Sequence, residues 1–139
     1  MPNYIYYDYC TSRICKVKEA HCTYTASPNI KSYLNDLCLK HGSTFEGRKK
    51  AFQYVMDKNR FIPIVISTDP LLIFFPIDAI NDPHCIWISY SKIDRIIYHK
   101  KKCEIYFKDS TQLLTTHPAR IEETIHSIWR YLQITKSRM

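Results

Sequence analysis

The sequence predicts an α+β fold: mostly antiparallel β, with a helix in the N-terminal half over about 28–41 and an amphipathic helix over about 118–134. Three observations predict it. Eleven Tyr and six Phe stand beside only two Gly in 139 residues, a bias toward residues that fill pleated, half-buried surfaces. From Cys85 onward, short apolar runs alternate with turn residues in the manner of hairpins. Two stretches instead carry apolar residues at helical spacing.

Residues 3–9 and 12–24 alternate as short strands, with Tyr4 and Tyr6, then Ile14 and Val17 separated by Lys16. Ser27-Pro28 has the form of an N-cap followed by proline in the first turn. Ile30, Leu34, Leu37 and Cys38 then recur at helical spacing, and Gly42 terminates the run. Further strands are expected near Ala51–Met56, Pro63–Ser67 and Leu71–Phe75, punctuated by Pro63, Pro70, Pro76 and Pro83. Ile86-Trp87-Ile88, Ile93–Tyr98, Cys103–Phe107 and Gln112–Thr115 read as four more, which places Lys100, Lys101 and Lys102 at a hairpin tip. The final helix puts Ile121, Ile125, Ile128, Trp129 and Leu132 on one face, and both tryptophans are expected in the core. Short strands closed by such a helix have the layout of a pleckstrin-homology-like roll. A sheet with helices on one face fits the same pattern. At this length a single domain, 1–139, with a real core is expected.

The formal charge is +7, which attracts polyanions. Its distribution says more than the total. Residues 47–60 hold Arg48, Lys49, Lys50, Lys58 and Arg60 against Asp57, a balance of +4. Residues 91–108 hold Lys92, Arg95, Lys100, Lys101, Lys102 and Lys108 against Asp94 and Glu104, again +4. Residues 61–90 between them have three Asp and no Lys or Arg.

Both glycines fall in His41-Gly42-Ser43-Thr44-Phe45-Glu46-Gly47, and Arg48-Lys49-Lys50 follows directly. Glycine reaches positive φ and permits close approach, so this reads as the chain's one special loop. A nucleotide-binding P-loop needs Lys and then Ser or Thr after the second glycine. Here Arg48 and Lys49 occupy those places, and the magnesium ligand is missing.

Met1–Cys10 lacks the basic start and continuous apolar run of a secretory signal. The longest apolar run, Leu71–Ile77, is far short of the about 20 residues that span a bilayer. A cytoplasmic protein without membrane contact is expected. Its six cysteines are then expected as reduced thiols. Cys10, Cys15, His21 and Cys22 lack the paired spacers of a structural zinc site, so neither metal nor cofactor is expected. His84-Cys85 is adjacency, not a positioned base and nucleophile, and no enzyme is expected.

His41-Gly42-Ser43-Thr44-Phe45-Glu46-Gly47-Arg48-Lys49, then Pro63-Ile64, Phe74-Phe75-Pro76 and Trp87-Ile88-Ser89, resemble in order and spacing the ComK family of bacterial competence transcription factors. The match runs from about Tyr33 to Leu132. Longer relatives continue beyond the last helix, so this chain reads as a short member without that extension. The resemblance implies an activator that binds double-stranded, A/T-rich promoter DNA largely through the minor groove and switches on DNA-uptake genes. It also implies a homo-oligomer on DNA and contact with RNA polymerase. The expected DNA-binding residues are Arg48, for the groove, and Lys49, Lys50, Lys100, Lys101 and Lys102, for phosphates. The rival is a pleckstrin-homology-like module that binds an acidic membrane surface or a protein partner.

Overall fold

The computed structural model describes residues 1–79, 82 and 84–137; Pro83 lies outside them. The chain opens with β1 (Tyr4–Asp8), β2 (Arg13–Lys18) and β3 (His21–Thr25), paired antiparallel in sequence order. The stretch 12–24 is therefore two strands. It breaks at Glu19 and Ala20, whose φ values of 53° and 63° make a turn whose twist matches the flanking strands. Cys15 and Cys22 sit diagonally across this hairpin with Cα atoms 5.6 Å apart, and a disulfide joins them. That corrects the expectation of reduced thiols for this pair: the strand register brings the two within bridging distance.

α1 (Ile30–Lys40) starts two residues later than Ser27-Pro28 suggests. Its cap is Asn29, whose extended backbone frees the side chain to accept the Ser32 amide at 2.8 Å. The helix ends with Ser43 N–H donating to Cys38 O at 3.0 Å and Gly42 N–H to Leu39 O at 3.2 Å. Gly42 has φ +78°, the left-handed position that this ending requires.

α2 (Phe45–Met56) replaces the strand expected over Ala51–Met56. Phe45 and Phe52 are its buried residues, two helical turns apart, whereas Tyr54 is 87% exposed. Gly47 is thus a helix residue, not part of a loop. Its N–H donates to the Thr44 hydroxyl at 3.0 Å, and a Cβ there would meet the same oxygen at 3.0 Å.

β4 (Ile64–Thr68), β5 (Leu71–Pro76) and β6 (Trp87–Ser89) complete a six-stranded antiparallel sheet of order β3-β2-β1-β6-β5-β4. A short 3-10 turn, Tyr90–Lys92, leads into a three-stranded antiparallel sheet of β7 (Ile93–Tyr98), β8 (Lys102–Phe107) and β9 (Gln112–Thr116). α3 (Pro118–Ser137) closes the chain. Two antiparallel sheets and a C-terminal helix make the α+β arrangement that the sequence predicts.

The core lies on both faces of the larger sheet. Ile64, Ile66 and Phe74 meet Leu34 and Cys38 of α1 and Phe45 of α2 on one face. Val65, Ile73 and Phe75 meet Phe52, then Cys103, Ile105 and Phe107 of β8, then Ile121, Ile128 and Tyr131 of α3 on the other. A strand buried on both faces needs no polar alternation, hence the unbroken run Leu71–Phe75. Full burial of one such side chain contributes about 1.5–3 kcal/mol. α2 packs on β4, the edge strand, and sends Phe45 to one cluster and Phe52 to the other.

Trp87 is buried as expected, but Trp129 is 54% exposed. It stands about 100° around the helix from Ile128. Tyr131 takes the inward place and stacks on Phe52 with ring centroids 4.8 Å apart.

Asp109, in the turn between β8 and β9, ties the two sheets together. Its carboxylate accepts from the Asn3 side chain at 2.7 Å and from the Glu19 amide at 2.9 Å. Thr111 donates both its amide, at 3.0 Å, and its hydroxyl.

Candidate nucleic-acid interface

The first basic block rides on α2, so its geometry follows from how that helix is seated. α1 and α2 are joined by residues 41–44 alone. The Asn35 side chain accepts the Phe45 amide at 2.9 Å, and the Lys31 ammonium pairs with Glu46 at 2.7 Å. Glu46 is held below its ordinary pKa first by the Lys31 hydrogen bond, with the charges of Lys31, Lys49 and Lys50 adding to it.

Arg48, Lys49 and Lys50 do not share one environment. Lys50 is exposed and Lys49 half-buried. Arg48 is half-buried, and its Nε is fully covered with no hydrogen-bond partner among the described residues. Its charge opposes the burial that raises the pKa of Cys38 on α1 and of Tyr131 on α3. Among the described residues none of the three forms an ion pair.

The second block is a hairpin tip with a tight closure. His99 N–H donates to Lys102 O at 2.9 Å, which leaves Lys100 and Lys101 as the exposed turn. Lys102 is not in the tip: it begins β8 and pairs with Thr116 of β9. These three also form no ion pair among the described residues; the local acid, Glu104, is bonded to His99 instead.

The start of α3 follows the second block along the chain and lines a pocket beside the first. Thr116, opposite Lys102, is followed by His117 and then by Pro118, where α3 begins. Arg120 in the first turn lines a pocket of about 470 Å³ whose wall also includes Lys49 and Gln53 of α2, Asn59, Arg60 and Phe61 of the loop before β4, and Asp78. Arg120 stacks over the Phe61 ring at 4.1 Å and donates from Nη1 to Ile77 O at 3.1 Å and Asp78 Oδ1 at 3.3 Å. Lys49 thus has two arginines as neighbours that sequence reasoning did not assign to the site. Arg60 lies within the first charge block, but Arg120 stands outside both blocks, with no basic run around it in sequence.

Nothing in this arrangement has the look of a metal centre: among the described residues no three His, Cys, Asp or Glu side chains converge to hold an ion. Among the same residues no helix is long and apolar enough to cross a membrane. What the arrangement offers is cationic, hydrogen-bond-donating surface on a helix, a pocket and a hairpin tip, which suits phosphate-bearing ligands.

A family model described as ComK protein matches residues 1–134. No curated protein and no solved structure matches the chain.

Proposed function

The chain belongs to the ComK family of competence transcription factors, and from that premise we propose that it binds double-stranded, A/T-rich promoter DNA, chiefly in the minor groove, and activates genes for DNA uptake. It acts in the cytoplasm as a homo-oligomer on DNA and contacts RNA polymerase. The observation that carries the DNA-binding reading is that Lys49, Lys50, Lys100, Lys101 and Lys102 form no ion pair among the described residues. Cations without carboxylate partners are free to displace the counterions condensed on a duplex.

In this reading the lysines hold phosphates and Arg48 enters the groove. To do so it leaves its half-buried position on α2, where its Nε is covered and has no partner among the described residues. A buried N–H without an acceptor costs about 1–3 kcal/mol, which favours the exit. A narrow A/T groove, with its strong negative potential, is where a guanidinium gains most.

A salt titration tests the proposal. Binding to A/T-rich and G/C-rich duplexes is measured by anisotropy, with and without netropsin to fill the minor groove. A steep salt slope with an A/T preference that netropsin abolishes is expected; equal affinity for both duplexes sinks the specific part.

One observation favours a second docking mode. α1 and α2 follow one another across a four-residue turn, and Lys50 and Tyr54 stand one helical turn apart on the exposed side of α2. That is the element order of a helix-turn-helix unit, whose second helix reads the major groove. Binding that netropsin leaves intact would select this mode.

A further inference from the structure

We infer that the pocket walled by Lys49, Arg60 and Arg120 seats a phosphate group. The inference deepens the DNA-binding reading and rests on it for the case in which the phosphate is part of a duplex.

Four segments meet at the pocket: α2 supplies Lys49 and Gln53, the loop before β4 supplies Asn59 and Arg60, the segment after β5 supplies Asp78, and α3 supplies Arg120. Among the described residues its lining holds three cations against one acid, Asp78. Two uncompensated positive charges and two side-chain amides suit a group that is anionic and rich in acceptors.

Arg120 is already fixed in place. Its guanidinium lies over the Phe61 ring at 4.1 Å, and Nη1 alone takes both acceptors, Ile77 O and Asp78 Oδ1. Among the described residues Nε and Nη2 have none. A planar cation held this way loses little freedom when it binds an oxyanion. Phe61, which supplies the stacking surface, has φ +53°. A large aromatic side chain seldom occupies that region, and strained backbone of this kind concentrates at ligand sites. Arg60 is exposed and pairs with no carboxylate among the described residues, so it is free to close over a ligand. Asp78 accepts from Arg120 and lies 4.0 Å from His117, which keeps it oriented toward those two groups.

The test uses the full chain and two probes. Pyrophosphate is titrated at constant ionic strength while arginine Nε–H resonances are followed by NMR, in wild type, in Arg60→Gln and in Arg95→Gln as a control. Saturable shifts at Arg60 and Arg120 are expected, with affinity about tenfold weaker in Arg60→Gln, the loss of one charge-assisted contact, and unchanged in the control. The same variants are then titrated with salt on a duplex. A slope reduced by about 0.9 in Arg60→Gln assigns the pocket to a backbone phosphate. Pyrophosphate saturation with an unchanged DNA slope assigns it to a free phosphate compound. A chain that saturates with pyrophosphate but binds no DNA keeps the pocket and discards the DNA reading. Absence of saturation together with an unchanged slope overturns the pocket, even if DNA binding stands.

Discussion

The Asn35 side chain of α1 accepts the Phe45 amide of α2 at 2.9 Å, so the first helix adds an acceptor at the start of the second, beside the N-cap Thr44, whose hydroxyl takes the Gly47 amide. An unsatisfied helix N-terminus costs about 0.5–2 kcal/mol. Asn35→Ala should lower stability by about 1 kcal/mol in urea denaturation, and DNA affinity should fall with it because α2 carries Lys49 and Lys50. Asn35→Asp keeps an acceptor and should keep both properties. An unchanged midpoint in the Ala variant would remove this acceptor from the account.

Glu46 lies among Lys31, Lys49 and Lys50 and lowers the local positive potential. Its ion pair with Lys31 joins two largely exposed side chains and contributes about 0–1 kcal/mol. Glu46→Gln should therefore leave the fold intact and tighten DNA binding about three- to tenfold at low salt, with the gain shrinking as salt rises. Anisotropy at two ionic strengths reads this directly. Weaker binding would show that Glu46 contributes a contact of its own.

Asp109 gives the fold an acid-sensitive joint. Burial opposes its ionisation, but the hydrogen bonds from Thr111, Asn3 and the Thr111 and Glu19 amides prevail and hold its carboxyl well below the usual range. A carboxyl depressed in the folded state stabilises fully above its unfolded pKa, about 3.9, and loses that contribution as the pH falls toward the folded value. Asp109→Ala should cost about 2 kcal/mol at neutral pH. Below about pH 4 the wild-type and variant stabilities should converge. Parallel curves across that window would mean that the network does not discriminate the charged form.

At Gly42, φ is +78° and a Cβ would meet no atom within 4 Å. The cost of replacing it is therefore conformational, not steric crowding. Gly42→Ala should destabilise by about 1–2 kcal/mol, visible as a shift in the urea midpoint without a change in slope. A shift near zero would show that the turn relaxes.

The sheets were largely legible in the sequence because hairpins announce themselves twice, in alternation and in turn residues. β7, β8 and β9 fall within a residue of the expected bounds. The Glu19-Ala20 turn was hidden, since neither residue favours the positive φ that it adopts. α2 is hard to see in the sequence because its two buried residues, Phe45 and Phe52, are divided between the glycine-bearing stretch 41–47 and the apolar run that follows the basic residues. Trp129 was misplaced because an apolar stripe one residue too wide still looks amphipathic. As for the candidate site, local sequence displayed the lysines. Arg120 became their neighbour only through the packing of α3 beside α2, and no window along the chain contains that fact.

A rod pinned at two points cannot swivel. Phe45 and Phe52 are such pins, each sunk in a different compartment on opposite sides of one sheet. The angle at which α2 offers its cations is thus set by two sockets at once. Resizing either socket retunes the presentation of charge without altering a single charged residue.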